Sequence, residues 1–246
     1  MFSGQILLAQ YSRFPASGTV EYEKTANMYA ILKKKVDADK SGFSVPVFES
    51  YKKNHPQFKK LKSTLTFSGN RTLFRPVANT ETESSNYLAE GVGDQTNIIY
   101  TDLLTSGSIT QKAIYEETFL VKDSVRKINW KITNETRDIA GYSCRRANAL
   151  VMDSIYVVAF YTDEIPVSGG PESFTGLPGL ILGLALPHEN ITWFATLVKD
   201  MPVAANTIVP PKKGKETDYK GLVNTLESVL KNKGSYARSA LKAFLL

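Results

Sequence analysis

Six short segments of alternating apolar and polar residues follow one another between residues 98 and 165, with turn residues between them. Short strands at regular spacing are typical of antiparallel sheets. Twelve Tyr and twelve Phe agree with this pattern, because aromatic side chains pack well on a pleated surface. The fold class we predict is mainly β: an antiparallel curved sheet or open barrel-like β domain with a few helices and a helical C-terminal tail. The six segments are 98–104, 108–115, 116–123, 126–139, 142–151 and 154–165.

The sequence on either side of this region also shows strand patterning. Residues 18–30 alternate, and residues 63–77 alternate around a Ser-Gly-Asn turn, which is typical of a hairpin. Two apolar segments, 180–186 and 191–198, flank a Pro-His-Glu-Asn turn. The other elements we predict are helices near 25–38, near 48–54 and in the tail, and a long exposed loop over 78–97.

The first ten residues, MFSGQILLAQ, resemble the end of an export signal. Leu7 and Ala9 are of the types that precede a leader-peptidase cleavage site. We interpret residues 1–9 as a residual signal-peptide tail, and an ordinary first strand is the alternative. A β-rich domain over 16–205 and a linker with a helical tail over 206–246 would follow. No run approaches 18 consecutive apolar residues, so no membrane span is expected.

Lysines occur in short groups, and the formal net charge is +6. Such groups suit contact with a phosphate backbone or an anionic glycan, but they also keep a surface soluble. The sequence contains no motif typical of RNA or DNA binding. We therefore favour the solubility interpretation and expect no nucleic-acid partner.

Residues 176–181 read Gly-Leu-Pro-Gly-Leu-Ile. This hexapeptide resembles the name-giving motif of the GLPGLI proteins, which are found mostly in Bacteroidetes and largely lack an assigned function. The similarity extends over about residues 98–200, because flanking segments agree with the family in order and spacing. Those segments are Trp130-Lys131-Ile132, Glu135-Thr136-Arg137, Gly141-Tyr142-Ser143-Cys144-Arg145-Arg146-Ala147 and Glu164-Ile165-Pro166-Val167-Ser168-Gly169-Gly170-Pro171.

The resemblance implies an envelope protein of the periplasm or outer-membrane surface, or a secreted one. The family also looks similar to an accessory domain attached to some secreted glycan-cleaving amidases, which implies binding or spacing rather than catalysis. This chain departs from the family pattern at Glu172, where an aromatic residue usually follows Gly-Pro, and at Met152-Asp153-Ser154, where a Gly-Arg pair is common. If those positions touch a ligand, its identity differs from the family's.

The hexapeptide has two physical interpretations. Gly176 and Gly179 permit positive φ and close backbone approach, and Pro178 fixes its own φ. These properties favour a tight corner that leads into a buried strand beginning at Leu180. The alternative is a ligand contact through the glycine backbone.

Eight residues are our candidates for ligand binding. The aromatic ones suit a surface that binds sugars, peptides or lipids, although such residues also fill cores. Two adjacent carboxylates at a strand end suit a hard cation or acid–base chemistry, and a solvated strand end is the alternative. The eight are Trp130, Tyr142, Tyr161, Asp163, Glu164, Pro171, Gly176 and Gly179.

The residues that most often carry catalysis are sparse. Cys144 is the single cysteine, and on an alternating strand it is more typical of a small core residue than of a reactive thiol. His55 and His188 are the only histidines, and neither has metal-ligand spacing. We assign no catalytic residue, metal or cofactor.

Three functional hypotheses remain open at this point. The first is a non-catalytic binding or accessory module for a peptide, glycan, lipid or envelope partner. The second is a hydrolase or cation-dependent enzyme that uses Asp163 or Glu164. The third is a purely structural accessory domain.

Overall fold

The computed structural model describes residues 15–39, 41–78, 97–204, 206–231 and 234–245. The proposed signal-peptide tail and most of the predicted 78–97 loop lie outside these residues. The described strands are β1 Ser17–Asn27, β2 Phe58–Ser68, β3 Arg71–Pro76, β4 Ile98–Asp102, β5 Gly107–Ile114, β6 Glu117–Ser124, β7 Lys131–Ile139, β8 Tyr142–Val151, β9 Ile155–Thr162, β10 Leu180–Leu186, β11 Ile191–Asp200 and β12 Lys215–Thr217. The helices are α1 Met28–Ala38, α2 Ser44–Asn54, α3 Tyr219–Leu230 and α4 Gly234–Leu245.

All the described strands belong to one sheet, in the order β12-β6-β5-β4-β3-β2-β1-β11-β10-β9-β8-β7. The sheet consists of two antiparallel meanders, β1 to β6 and β7 to β11, which are joined where β1 pairs with β11. Strand β12 pairs with β6 in parallel. The mainly β, mostly antiparallel fold class predicted from the sequence is therefore confirmed.

The connection between β6 and β7 requires the sheet to be strongly curled. These strands lie ten positions apart in the sheet, which corresponds to about 48 Å at the usual strand spacing. Only residues 125–130 join them, and six extended residues span roughly 22 Å at most. The concave face thus encloses an interior. This connection crosses it, and among the described strands the two edge strands, β12 and β7, do not pair with each other.

The alternation of the sequence sets which side chains enter that interior. In β1 every second residue is buried, including Val20 and Tyr22. The Tyr22 hydroxyl donates to the Ile181 carbonyl oxygen at 2.6 Å, so the buried phenol has a partner. Strands β9 and β10 are apolar along most of their length because they lie in the middle of the main core.

Helices α1 and α2 form a hairpin that packs against the main core. Asn27 caps α1 by accepting a hydrogen bond from the Ala30 amide at 3.2 Å. Leu32 and Phe48 are buried beneath the two helices, and Tyr51 packs beside them. The helices predicted near 25–38 and 48–54 are confirmed, with boundaries shifted by a few residues.

The C-terminal segment packs on the first meander through a second, smaller core. Leu222, Leu226 and Leu230 of α3 share one face and contact β6. Helix α4 adds Phe244 to this cluster. The sequence predicted helices here, but it did not predict β12, which attaches the segment to the edge of the sheet.

Candidate ligand-binding cleft

A cavity of about 500 Å³ opens on the concave face of the first meander, and we call it the cleft. Its floor is formed by β4, β5 and β6. Thr101 pairs with Ser108, and Ser108 pairs with Asp123, so their side chains point to the same face of the sheet. Thr110 and Val121 form the next paired row. Hydroxyl groups therefore dominate the floor.

The opposite wall comes from segments distant in the sequence. The 125–130 connection supplies Arg126 and Lys127, and the β8–β9 turn supplies Asp153. The loop before β10 supplies Thr175, and the start of α3 supplies Tyr219. The cleft exists because the curled sheet brings the second meander over the first.

Arg126 is the main cation of the cleft wall. Its Nη2 atom donates to the Leu245 carbonyl oxygen at 2.5 Å, at the C-terminal end of α4. Its Nη1 atom is buried and has no hydrogen-bond partner among the described residues. Burial lowers the pKa of the Arg126 guanidinium, but an arginine of this kind keeps its charge near neutral pH. Arg126 thus brings positive charge to the cleft lining, while its Nη1 atom is buried behind that lining.

Asp123 supplies negative charge to the lining of the same cleft. Its carboxylate accepts hydrogen bonds from the Tyr219 amide at 2.9 Å and the Ser124 amide at 2.6 Å. These hydrogen bonds hold the pKa of Asp123 below its ordinary value. The ionised carboxylate therefore fixes the start of α3 at the rim of the cleft.

A buried polar cluster lies deeper in the same interior. The Asn97 amide donates to Glu172 Oε2 at 2.8 Å, and both residues are almost fully buried. Lys24 and Lys112, also buried, interact electrostatically with Glu172. The Lys112 ammonium donates to the Phe244 carbonyl oxygen at 2.6 Å. Lys112 and Arg126 together therefore bind the last carbonyls of α4, as cations do at helix C-termini.

Burial dominates the ionisation of this cluster. Removal from water raises the pKa of Glu172, although Lys24, the Asn97 amide and Lys112 all favour its charged form. Burial likewise lowers the pKa of Lys112 to about 8, against the attraction of Glu172. Both shifts favour the neutral forms, so burial outweighs the attraction between the carboxylate and the ammonium groups.

The GLPGLI hexapeptide forms a corner between the loop that follows β9 and the start of β10. Gly176 has φ +94°, a conformation that favours glycine. Gly179 lacks positive φ but packs directly on the backbone of β9: a Cβ atom there would lie 2.7 Å from the carbonyl carbon of Thr162 and closer still to its oxygen. Leu180 and Ile181 are fully buried. The corner interpretation accounts for both glycines.

The eight candidate residues occupy different places. Trp130 and Gly176 are adjacent: the Trp130 indole donates to the Thr175 carbonyl at 2.8 Å, beside the cleft wall. Tyr161, Pro171 and Gly179 are buried in the core. Tyr142, Asp163 and Glu164 lie outside the cleft lining, and the two carboxylates are exposed in the turn after β9.

Cys144 is a buried core residue. Its thiol is free and has no solvent exposure. Burial, together with the carboxylates of Glu164 and Asp138, raises the pKa of Cys144 to about 12. Within the described ranges, no group of three His, Cys, Asp or Glu side chains is arranged to hold a metal ion.

The cleft residues were missed by sequence reasoning, although one signal for them existed. In β5 the inward positions Ser108, Thr110 and Lys112 are polar, whereas an ordinary half-buried strand has apolar inward residues. That reversal is visible in the sequence only once the inward face is known. Glu172 was noted as a departure from the family pattern, but its burial was not foreseen.

A family described as "Protein of unknown function (Porph_ging)" matches residues 148–183 of the chain. The matched stretch runs from β8 through β9 and the cleft-wall loop into β10, and it includes the hexapeptide. The chain resembles that family over this stretch. No curated protein matches the chain.

Two solved structures are similar to this fold. A structure of PNGF-II in space group C2 superposes with a TM-score of 0.53 at 15% identity and covers 85% of this chain and 32% of that one. A second structure of PNGF-II, in space group P21, superposes with a TM-score of 0.52 at 17% identity and covers 84% of this chain and 33% of that one. The chain spans about a third of the length of these structures. At such low identity the similarity concerns the fold alone.

Proposed function

We propose that this chain is a non-catalytic binding or accessory module of the cell envelope or the secreted fraction, of the GLPGLI type, and that its cleft binds a glycan. The observation that carries the proposal is the lining of the cleft. Hydroxyls, two carboxylates and a guanidinium line a concavity of about 500 Å³, within the size range of small-ligand sites. A polyhydroxylated ligand matches such a lining, because each sugar hydroxyl both donates and accepts a hydrogen bond.

Two features support a sugar over an apolar ligand. Arg126 lines the cleft with a charged guanidinium, whose N–H groups are hydrogen-bond donors that suit sugar oxygens. Tyr219, which is about a third exposed, offers an aromatic ring at the rim.

Glycan-array screening, followed by calorimetry on the strongest ligand, tests the proposal. Thr110→Val removes a floor hydroxyl while keeping its shape, and Asp153→Asn removes a wall charge at a position with φ +56° that asparagine tolerates. Each variant should weaken binding by about tenfold or more, as the loss of a hydrogen bond to a ligand does. Asp163→Asn, an exposed carboxylate outside the cleft, is the matched control and should bind like wild type.

The same samples separate the rival functions. If Asp163→Asn abolishes binding and the cleft variants do not, the site lies in the turn after β9. Mass-spectrometric detection of glycan cleavage that Asp163→Asn or Glu164→Gln stops would indicate a hydrolase. If no glycan on the array binds, the proposal is wrong.

A further inference from the structure

The whole net charge of the protein lies in one stretch of 35 residues. Residues 28–62 contain nine lysines and three acidic residues, which gives +6, equal to the formal charge of the entire chain. The rest of the chain is electrically balanced. We call residues 28–62, which comprise α1, α2 and the first half of β2, the lysine-rich hairpin.

The inner side of the hairpin packs on the rest of the domain, and its outer side faces solvent. Met28, Leu32, Phe48 and Tyr51 are buried against the main core. The residues that face outward recur at helical spacing, for example Lys33, Lys34 and Asp37 in α1 and Glu49 and Lys53 in α2. On β2 the exposed positions alternate as Phe58, Lys60 and Lys62. Most of the described lysines of the hairpin are therefore exposed at its surface.

Ion pairs are described for three lysines of the hairpin. Lys33 pairs with Asp37, and Lys52 pairs with Glu49, both within the hairpin. Lys60 pairs with Glu23 of the neighbouring strand. Lys34 donates to the His188 carbonyl, a neutral partner that leaves its charge in place.

Apolar side chains are exposed at the tip of the hairpin. Phe43 is 77% exposed and Val45 is 46% exposed, beside the turn between the helices. The turn is ordered by Asp39, whose carboxylate accepts hydrogen bonds from the Ser41 amide at 2.9 Å and the Ser44 amide at 2.8 Å. The structure thus presents an aromatic side chain to solvent on a fixed turn, and the core does not require it there.

We propose that the lysine-rich hairpin docks this protein on an anionic lipid surface. Groups of lysines on an amphipathic helical surface are attracted to negatively charged headgroups, and an apolar side chain at the tip can enter the interface. All nine basic residues of the hairpin are lysines and none is arginine. Lysine provides a point charge that suits a diffuse anionic surface, whereas arginine is the usual choice for bidentate recognition of nucleic-acid phosphates. The proposal is separate from glycan binding in the cleft and does not depend on it.

Vesicle co-sedimentation of the full chain tests the proposal. Vesicles of 30% phosphatidylglycerol in phosphatidylcholine are compared with pure phosphatidylcholine. Wild type should sediment with the anionic vesicles at least tenfold more than with the neutral ones. Raising the salt from 50 mM to 500 mM should release it, because screening weakens charge attraction.

Two variants and a matched control locate the surface. The triple variant Lys34→Glu, Lys53→Glu, Lys62→Glu should lower partitioning by at least about 100-fold, since each lysine near such a surface contributes roughly fivefold and each glutamate adds repulsion. The control Lys131→Glu, Lys212→Glu, Lys220→Glu changes the net charge equally at exposed positions outside the hairpin. The control should lower partitioning to the anionic vesicles by less than about fivefold. Phe43→Ser should lower the same partitioning several-fold, although it leaves the net charge unchanged.

The following results would contradict the proposal. Equal losses in the two triple variants would show a general charge effect, and a Phe43→Ser variant that binds like wild type would remove the apolar anchor. If wild type ignores anionic vesicles but binds a single-stranded 20-mer DNA, the surface recognises nucleic acid instead. Phe43→Ser and the salt dependence keep the test valid if a triple variant does not fold, which thermal melting detects.

Discussion

Replacing Gly179 by alanine tests whether the GLPGLI hexapeptide is a structural corner. The new Cβ would lie 2.7 Å from the carbonyl carbon of Thr162 and 3.0 Å from Asp163 Cα, so two backbone segments must separate. Overpacking of this kind costs about 1–3 kcal/mol. The separation also strains the hydrogen bond from the Leu180 amide to the Ile165 carbonyl, now 3.1 Å long, and an unsatisfied buried group costs roughly 1–3 kcal/mol. We expect a total loss of about 3 kcal/mol.

Thermal and urea unfolding measure this loss. For a chain of this size each kcal/mol lowers Tm by about 2–4 °C, so Gly179→Ala should melt about 6–12 °C below wild type. Gly141→Ala is the matched control: that glycine has φ +86° and no atom near its Cβ position, so its cost should be only about 1 kcal/mol. Leu180→Ala, at a fully buried position, should cost about 2–5 kcal/mol.

The corner interpretation is refuted by one pattern of results. If Gly179→Ala is as stable as wild type, or no less stable than Gly141→Ala, close backbone approach does not explain the second glycine. Loss of glycan binding at unchanged stability would instead place the hexapeptide in a ligand site.

Three further predictions concern buried groups. Because burial raises the pKa of Glu172 above its ordinary 4.5, the native state binds more protons than the unfolded state above that pH, and the free energy of unfolding falls as the pH rises. Glu172→Gln should lack this fall and be at least as stable as wild type at pH 7.5. Urea unfolding at pH 4.5 and 7.5 measures the free energy of unfolding, and an equal change between the two pH values in both proteins would contradict the prediction. Because the pKa of Cys144 is raised to about 12, its thiol should react with Ellman's reagent at least about 100-fold more slowly in native protein than in guanidinium, and an equally fast native reaction would show it accessible. Lys112→Met removes the donor to the Phe244 carbonyl, so α4 amides should exchange hydrogen faster by mass spectrometry, whereas unchanged exchange would show that the contact does not hold the helix.

The sequence was most informative where local pattern and tertiary position agree. Strand β8, Tyr142–Val151, has the boundaries that alternation and the preceding glycine predict. Strand β12, Lys215–Thr217, has three residues and no apolar side chain, and it forms because the edge of β6 is available beside it. No local pattern encodes such an edge.

The cleft was less predictable than the fold for a related reason. Its floor and wall come from β4–β6 and from the loop around Thr175, which only the curl of the sheet brings together. Sequence reasoning favoured aromatic and glycine residues in the second meander, whereas the cleft depends on hydroxyls such as Thr110 and on Arg126. Hydroxyl residues on strands carry little signal until their inward face is known.

The pairing of β1 with β11 also has a consequence for folding kinetics. Each meander can form from neighbouring strands, but the two combine only when Gly18 meets Asp200, far away in the chain. Closing such a long loop is entropically costly, and folds of high contact order fold slowly. Before that step, β1 and β11 each present an unpaired edge that can join another molecule. The slowest stage of folding is therefore also the stage at which this chain is most exposed to aggregation.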